Sequence, residues 1–184
     1  MAEFELVIPA FNEANSLEAL IARAIQSAQR AGFHPAQFQI LVVNNGSTDH
    51  SAQVLESLKS GPQGCWFQVV NVPVNQGYGH GVFQGLKATS ATVIGWSHAD
   101  MQCDPADAFV AFHKLKASRE SKVIVKGFRS GRNWKDRAVT TIFEMLARVL
   151  LQVPVREINA QPKVFRSELM LELVLTPKTF AFDL

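Results

Sequence analysis

Residues 95–105 read Gly-Trp-Ser-His-Ala-Asp-Met-Gln-Cys-Asp-Pro. They close an apolar, strand-like run, Thr92–Trp96, with an imidazole, two carboxylates, an amide and a thiol. In an extended segment alternate side chains share a face, so His98, Asp100 and Gln102 fall on one side. Carboxylate and amide oxygens suit Mg2+ or Mn2+, and an imidazole tilts the choice towards Mn2+. His98, Asp100 and Gln102 are therefore candidate ligands of a divalent cation. The same stretch also reads as an ordinary helix entry. Asp104 is a good N-cap, Pro105 fits the first helical position, and Phe109, Phe112 and Leu115 then recur on one side.

Outward from this stretch, strand-like and helix-like segments alternate. Phe4–Ile8 is a short apolar strand ended by Pro9. Asn15 with Glu18 resembles a capping box ahead of Leu17, Leu20, Ile21, Ala24 and Ile25. Gln39–Val43 is a second strand and Trp66–Val72 a third, with a short helix carrying Val54, Leu55 and Leu58 between them. A glycine-rich loop then leads into a helix through Lys87. After the Thr92–Trp96 strand and the helix at Asp104, Lys122–Phe128 is a fifth strand and Ala138–Leu151 an amphipathic helix. Lys163–Phe165 and Leu169–Leu175 follow as a short strand and a leucine-rich helix. The alternation predicts an α/β fold, a single domain over 1–184 with a mainly parallel sheet flanked by helices. The last residues, Thr-Phe-Ala-Phe-Asp-Leu, carry no polar tail, so the chain is expected to be truncated at its C-terminus. Ligands of such sheets bind beyond the carboxyl ends of the strands. The loops after the first, second and fourth strands would then bring Glu13, Asn45, Asp49 and Asp100 to one cleft.

Composition narrows the function classes. The 184 residues are 47% hydrophobic and 18% charged, a globular mix with a net charge of +2 that gives no reason to expect a nucleic-acid partner. The two cysteines, Cys65 and Cys103, form no CxxC pair, which favours a reducing, cytoplasmic setting. Glu3 and Glu5 interrupt the first apolar run, so no signal peptide is expected. No stretch approaches the roughly 20 apolar residues of a membrane span.

Three more loops carry chemistry. Asn12 and Glu13 follow the first strand and could hydrogen-bond a base or ribose. In Asn44–Asp49 the Asn-Gly pair favours a tight turn, and Ser47, Thr48 or Asp49 can cap the next helix, while Asn45 and Asp49 could face the crevice. In Asn75–Gly85, glycines 77, 79 and 81 permit close backbone approach to a ligand, and a helix N-terminus favours anions. Their spacing is not the G-x-G-x-x-G of a dinucleotide fold, and they follow the third strand, which argues against a dinucleotide-dependent oxidoreductase. In Lys126–Arg132, Arg129 could clamp a phosphate bidentately. Arg156–Lys163 offers an acid, Glu157, and a phosphate binder, Lys163.

In order, the segments V-I-P-A-F-N-E, V-V-N-N-G-S-T-D, N-Q-G-Y-G, H-A-D-M-Q-C-D-P, K-G-F-R and I-N-A-Q-P-K-V-F resemble the family-2 glycosyltransferases of GT-A fold. The branch of dolichyl-phosphate mannose synthases and their bacterial relatives is the most similar. The resemblance implies that Pro9, Phe11 and Glu13 line a nucleotide pocket and that Asn45 lies near the base or ribose. It implies that Asp100 is the second acid of a D-x-D metal motif, with Gln102 assisting, and that Arg129 and Lys163 are basic residues near the phosphates and acceptor. His98 stands where the family has the first acid, and Asn44-Asn45 where it has paired aspartates.

The expected activity is an inverting, metal-dependent transfer of a hexose from a UDP- or GDP-linked sugar. Asp100 with Mg2+ or Mn2+, aided by Arg129 and Lys163, would stabilise the leaving diphosphate. A hydroxyl acceptor needs a base, for which Asp104 and Glu157 are candidates, whereas a polyprenyl phosphate is already ionised and needs none. The apolar face of Ala138–Leu151 could lie on a membrane, placing the protein at its cytoplasmic face. The alternative is a non-catalytic nucleotide-binding module, because His98 and the two asparagines each remove a negative charge.

Overall fold

A computed structural model describes residues 2–101, 103–128, 159–172, 177–179 and 182, and the structural statements here concern those residues. Six strands form one sheet: β1 Phe4–Ala10, β2 Phe38–Asn45, β3 Phe67–Val72, β4 Val93–Trp96, β5 Ile124–Lys126 and β6 Lys163–Arg166. Four helices connect the first five strands: α1 Leu17–Arg30, α2 Ser51–Ser60, α3 Tyr78–Ala88 and α4 Ala106–Ala117. The sheet order is β3-β2-β1-β4-β6-β5. β1 pairs in parallel with β2 and β4, β2 in parallel with β3, and β6 lies antiparallel between β4 and β5. The fold is therefore the α/β class that the sequence implies, with one reversed strand.

Alternation along β1 divides the core. Phe4, Leu6 and Ile8 face α1 and α4, where they meet Leu17, Leu20, Ile21, Phe109 and Phe112. Val7 faces the other way, with Leu41, Val43, Val82 and Leu86 beneath α3. Phe4 is fully buried among rings, with centroid distances of 5.3 Å to Phe38, 5.2 Å to Phe112 and 5.9 Å to Phe109. Glu5 is buried on the α3 side, where an unpaired carboxylate would be costly. Its Oε2 accepts the N–H groups of Ser90 at 2.5 Å and Ala91 at 3.0 Å, which fixes the turn into β4.

Several boundaries differ from those read in the sequence. Pro9 does not end β1 but lies inside it. Val7 O accepts the Ser97 N–H, so residues 5, 7 and 9 present their backbone groups towards β4. β4 has ended by the level of Pro9, so the missing N–H breaks no ladder bond there. β2 runs on through Asn44, which pairs with both Ala10 and Asn71, and Asn45, which pairs with Val72 of β3. Asn15 does not cap α1: Ser16 precedes the helix, and its hydroxyl donates to Glu13 Oε2 at 2.7 Å. A 3-10 turn, Pro62–Trp66, leads into β3, and Ser167–Glu172 is a 3-10 turn where a helix was expected from Leu169. The Ala138–Leu151 segment lies outside the described residues. Among the described residues no helix is long and apolar enough to cross a membrane.

Phe4→Ala is expected to destabilise the fold by about 3–5 kcal/mol, the usual cost of truncating a core aromatic. Urea unfolding followed by circular dichroism checks this, through a lower midpoint at an unchanged slope.

Candidate active site

The site is built at the carboxyl edge of β1, β2 and β4. The loop after β1 has three consecutive N–H groups that find their acceptors on side chains of the loop after β2 and of the first residue of α2. Asn12 N–H donates to Ser47 Oγ, Glu13 N–H to Ser51 Oγ and Ala14 N–H to Asp49 Oδ2, each at 3.1 Å. Asn12, at φ 58°, returns a bond: its Oδ1 accepts the Thr48 N–H at 2.8 Å. The amide that the sequence offers to a base or ribose is thus engaged in joining the two loops. Asp49 Oδ1 also accepts the Ser51 N–H at 2.9 Å at the start of α2. Its carboxylate therefore caps a helix and braces the first loop instead of facing the crevice. Hydrogen bonding from Ser51, and then from backbone N–H groups, holds the Asp49 carboxyl below its ordinary range against a smaller opposing effect of burial.

A cavity of about 450 Å³ opens beside this brace. Pro9, Phe11, Glu13, Asn45, Gly77, His98 and Asp100, all flagged in the sequence, line it together with Asn75 and Tyr78, which were not. Asn45 is 3% exposed, and its Nδ2 donates to Gly77 O at 3.1 Å and Asn75 Oδ1 at 3.4 Å. Two acceptors on one side fix the amide's orientation and leave Oδ1 buried with no hydrogen-bond partner. Leaving that acceptor buried without a donor costs stability. Two signals could have found the missed residues. Asn75 Oδ1 accepts the Gly77 N–H at 2.7 Å, the local turn that Asn-x-Gly favours. Tyr78 is the only tyrosine in the chain and opens α3.

Other flagged residues sit elsewhere. Gly79 lies within α3 and is buried against the chain's own C-terminal segment: an added Cβ would stand 2.2 Å from Pro177 O and 2.6 Å from Thr179 O. The close approach expected for a ligand is made there by backbone. Asp104 is held by Arg23, Nη2 to Oδ2 at 2.6 Å and Nε to Oδ1 at 3.1 Å, while Oδ1 accepts the Ala106 N–H at 2.9 Å. The Arg23 hydrogen bond leads the causes that lower its acidity range, so Asp104 joins α1 to α4 and is withdrawn as a base. Lys163 is 5% exposed in β6, with Nζ 5.2 Å from the Trp96 ring centroid, and is not among the residues lining the cavity. Burial against the indole face explains why it does not project into the pocket. Gln102, Arg129 and Glu157 lie outside the described residues.

Asp100 is exposed at the cavity and supplies the oxygen donor that Mg2+ or Mn2+ prefers. Among the described residues, no three His, Cys, Asp or Glu side chains are grouped to hold an ion. The protein donors seen here suit a cation that takes its remaining oxygens from a ligand, as Mg2+ commonly does with phosphates.

Residues 5–176 match the sequence model of the family described as glycosyl transferase family 2, and the chain belongs to that family. It is 27% identical over 145 residues to the undecaprenyl-phosphate 4-deoxy-4-formamido-L-arabinose transferase of Serratia proteamaculans, covering 77% of this chain and 42% of that protein. The corresponding Shewanella sediminis protein is 29% identical over 104 residues, and the chain spans 30% of its length. An uncharacterized glycosyltransferase of Mycobacterium tuberculosis is 29% identical over 185 residues, covering 97% of this chain and 74% of that protein. Two solved structures share the fold. Glucosyl-3-phosphoglycerate synthase from M. tuberculosis, in complex with Mn2+, UDP and glucosyl-3-phosphoglycerate, superposes with a TM-score of 0.74 at 22% identity, covering 99% of this chain and 62% of that one. A mannosyltransferase from Pyrobaculum calidifontis, in complex with GDP-Man and Mn2+, gives 0.68 at 17% identity, covering 96% and 48%. The architecture is therefore the GT-A fold that the sequence resemblance implied.

The Asp49 brace has a pH signature. Its folded carboxyl ionises below the unfolded value of about 3.9, so its stabilising contribution is full above that value and is lost as pH falls through the folded one. The stability difference between the parent protein and Asp49→Asn is expected to be constant from pH 7 to about pH 5 and to shrink below about pH 4. Urea midpoints of both proteins across that range check it.

Proposed function

We propose that this family 2 glycosyltransferase moves a hexose, with inversion, from a UDP- or GDP-linked sugar to a polyprenyl phosphate. The observation that carries the nucleotide part is the cavity that Phe11, Glu13 and Asn45 line together with Asp100. Glu13 offers hydrogen-bond acceptors to a base or ribose; Asp100 is an acid suited to a metal-bound diphosphate. The exposed Phe11 ring adds an apolar surface for a flat group.

In the reaction the donor's C1–O bond to the diphosphate breaks as an acceptor oxygen bonds to C1 from the opposite face. Asp100 would hold the divalent cation, whose charge when bound offsets that of the departing diphosphate. A phosphate acceptor enters already ionised, so no side chain has to remove a proton. That suits a site from which Asp104 is withdrawn by its ion pair with Arg23. The acceptor class is supported by the activity for which the Serratia relative is named, and the cation and diphosphate by the ligands of the two superposed enzymes. Arg129 near the phosphates, Gln102 at the cation, Glu157 as a base for any hydroxyl acceptor, and membrane contact through Ala138–Leu151 belong to the same proposal, from which the burial of Lys163 against Trp96 removes that lysine. The competing reading, a nucleotide-binding module without turnover, draws on His98 standing in place of an acid. It predicts binding without release of UDP or GDP in the presence of acceptor.

Thermal shift across UDP- and GDP-sugars with Mn2+ or Mg2+ should single out one nucleotide, because stabilisation grows with ligand over Kd. Asn45→Ala is expected to weaken that nucleotide roughly tenfold, the cost of losing a buried hydrogen-bond partner. Asp100→Ala is expected to remove the metal-dependent part of the shift. Unchanged nucleotide affinity in Asn45→Ala, or an unchanged metal effect in Asp100→Ala, would contradict the assigned role.

A further inference from the structure

The rings of Tyr78 and His98 lie nearly parallel, with centroids 5.3 Å apart and an interplanar angle of 22°. Both line the cavity. Tyr78 is the first residue of α3, and its hydroxyl accepts a bond from Gln161 Nε2 at 3.3 Å, just before β6. His98 follows the end of β4. The stack therefore ties three elements together at the pocket wall. It also accounts for the residue type at 98. A carboxylate there would approach the electron-rich face of the Tyr78 ring, which repels negative charge, whereas an imidazole stacks on it.

We infer that His98 is an aromatic wall residue positioned by Tyr78, not a cation ligand, and that the His98 ring, held by Tyr78, packs against the bound nucleotide sugar while Asp100 is this loop's metal-binding acid. The inference rests on the nucleotide-sugar reading of the pocket. It makes Tyr78 a positioning residue acting through His98, and it separates two quantities that a metal-ligating His98 would couple: affinity for the nucleotide, and the gain in that affinity on adding metal.

The test measures Kd for UDP and for GDP by calorimetry, with and without Mn2+, in the parent chain, His98→Phe, His98→Ala, Tyr78→Leu and Asp100→Ala, with thermal unfolding as the folding control. His98→Phe keeps a ring but has no nitrogen. Its ratio of metal-free to Mn2+ Kd is expected to stay within about twofold of the parent ratio, while the Asp100→Ala ratio falls to unity. His98→Ala and Tyr78→Leu are expected to weaken binding about three- to tenfold equally with and without Mn2+, the worth of an aromatic pair. A His98→Phe ratio that collapses as in Asp100→Ala makes His98 a ligand and overturns the inference. So does a Tyr78→Leu protein that folds and binds as the parent does. A parent chain that binds neither nucleotide under any condition overturns the functional reading and this inference with it, and no other outcome produces that pattern.

Discussion

The backbone N–H groups of Asn12, Glu13 and Ala14 have left β1 and have not yet entered α1, and their acceptors lie on side chains more than thirty residues away. Glu13 and Ala14 are half-buried, where an N–H group must be paired, so this loop has its shape because Asp49 and Ser51 are held beside it, with Ser47 adding a bond to the exposed Asn12. Those three are in turn placed by the parallel pairing of β1 with β2, which brings both carboxyl ends to one edge. Phe11 and Glu13 reach the cavity from a loop fixed in this way. The pocket is consequently not a set of ligand-binding residues resting on a neutral scaffold. The polar loop of β2 supplies the hydrogen bonds that a strand or helix would otherwise provide, and catalytic geometry is downstream of that pairing.

The sheet was legible because strands covered on both faces leave continuous apolar runs, and each run here ends in a polar loop. What lay at one edge followed from topology alone, and seven of the lining residues were identified that way or through the family's motifs. Individual side-chain roles were less legible, for a consistent reason. Asp104 looks like a base or a cap until Arg23, 81 residues earlier, is seen to hold it. Asp49 looks like a cleft residue until Ala14, 35 residues earlier, is seen to donate to it. Gly79 looks like room for a ligand until the segment at Pro177–Thr179 fills that room. Local spacing reports which groups a residue carries, while the partner that uses them is set by the tertiary fold.

The paired asparagines show how the two kinds of role separate within one strand. Alternation sends Asn44 and Asn45 to opposite faces of β2. Asn44 is satisfied by the protein itself: its Nδ2 donates to Asn71 Oδ1 at 3.2 Å, and its Oδ1 accepts the Ser47 N–H at 3.3 Å, so it helps hold the bracing loop. Asn45 is satisfied on one side only, its Nδ2 taken by Gly77 O and Asn75 Oδ1. An aspartate at 45 would set a carboxylate against those two acceptors, with no proton to offer either. An amide is therefore the residue type that can hold the glycine-rich loop. The departure from paired aspartates, which on sequence alone favours a nucleotide-binding module without catalysis, becomes here a consequence of how this chain anchors the glycine-rich loop that leads to Tyr78. The same logic applies at His98, where a ring replaces an acid because its neighbour is a ring. Both substitutions remove charge from the site, and both residues contact the stretch from Asn75 to Tyr78 that leads into α3.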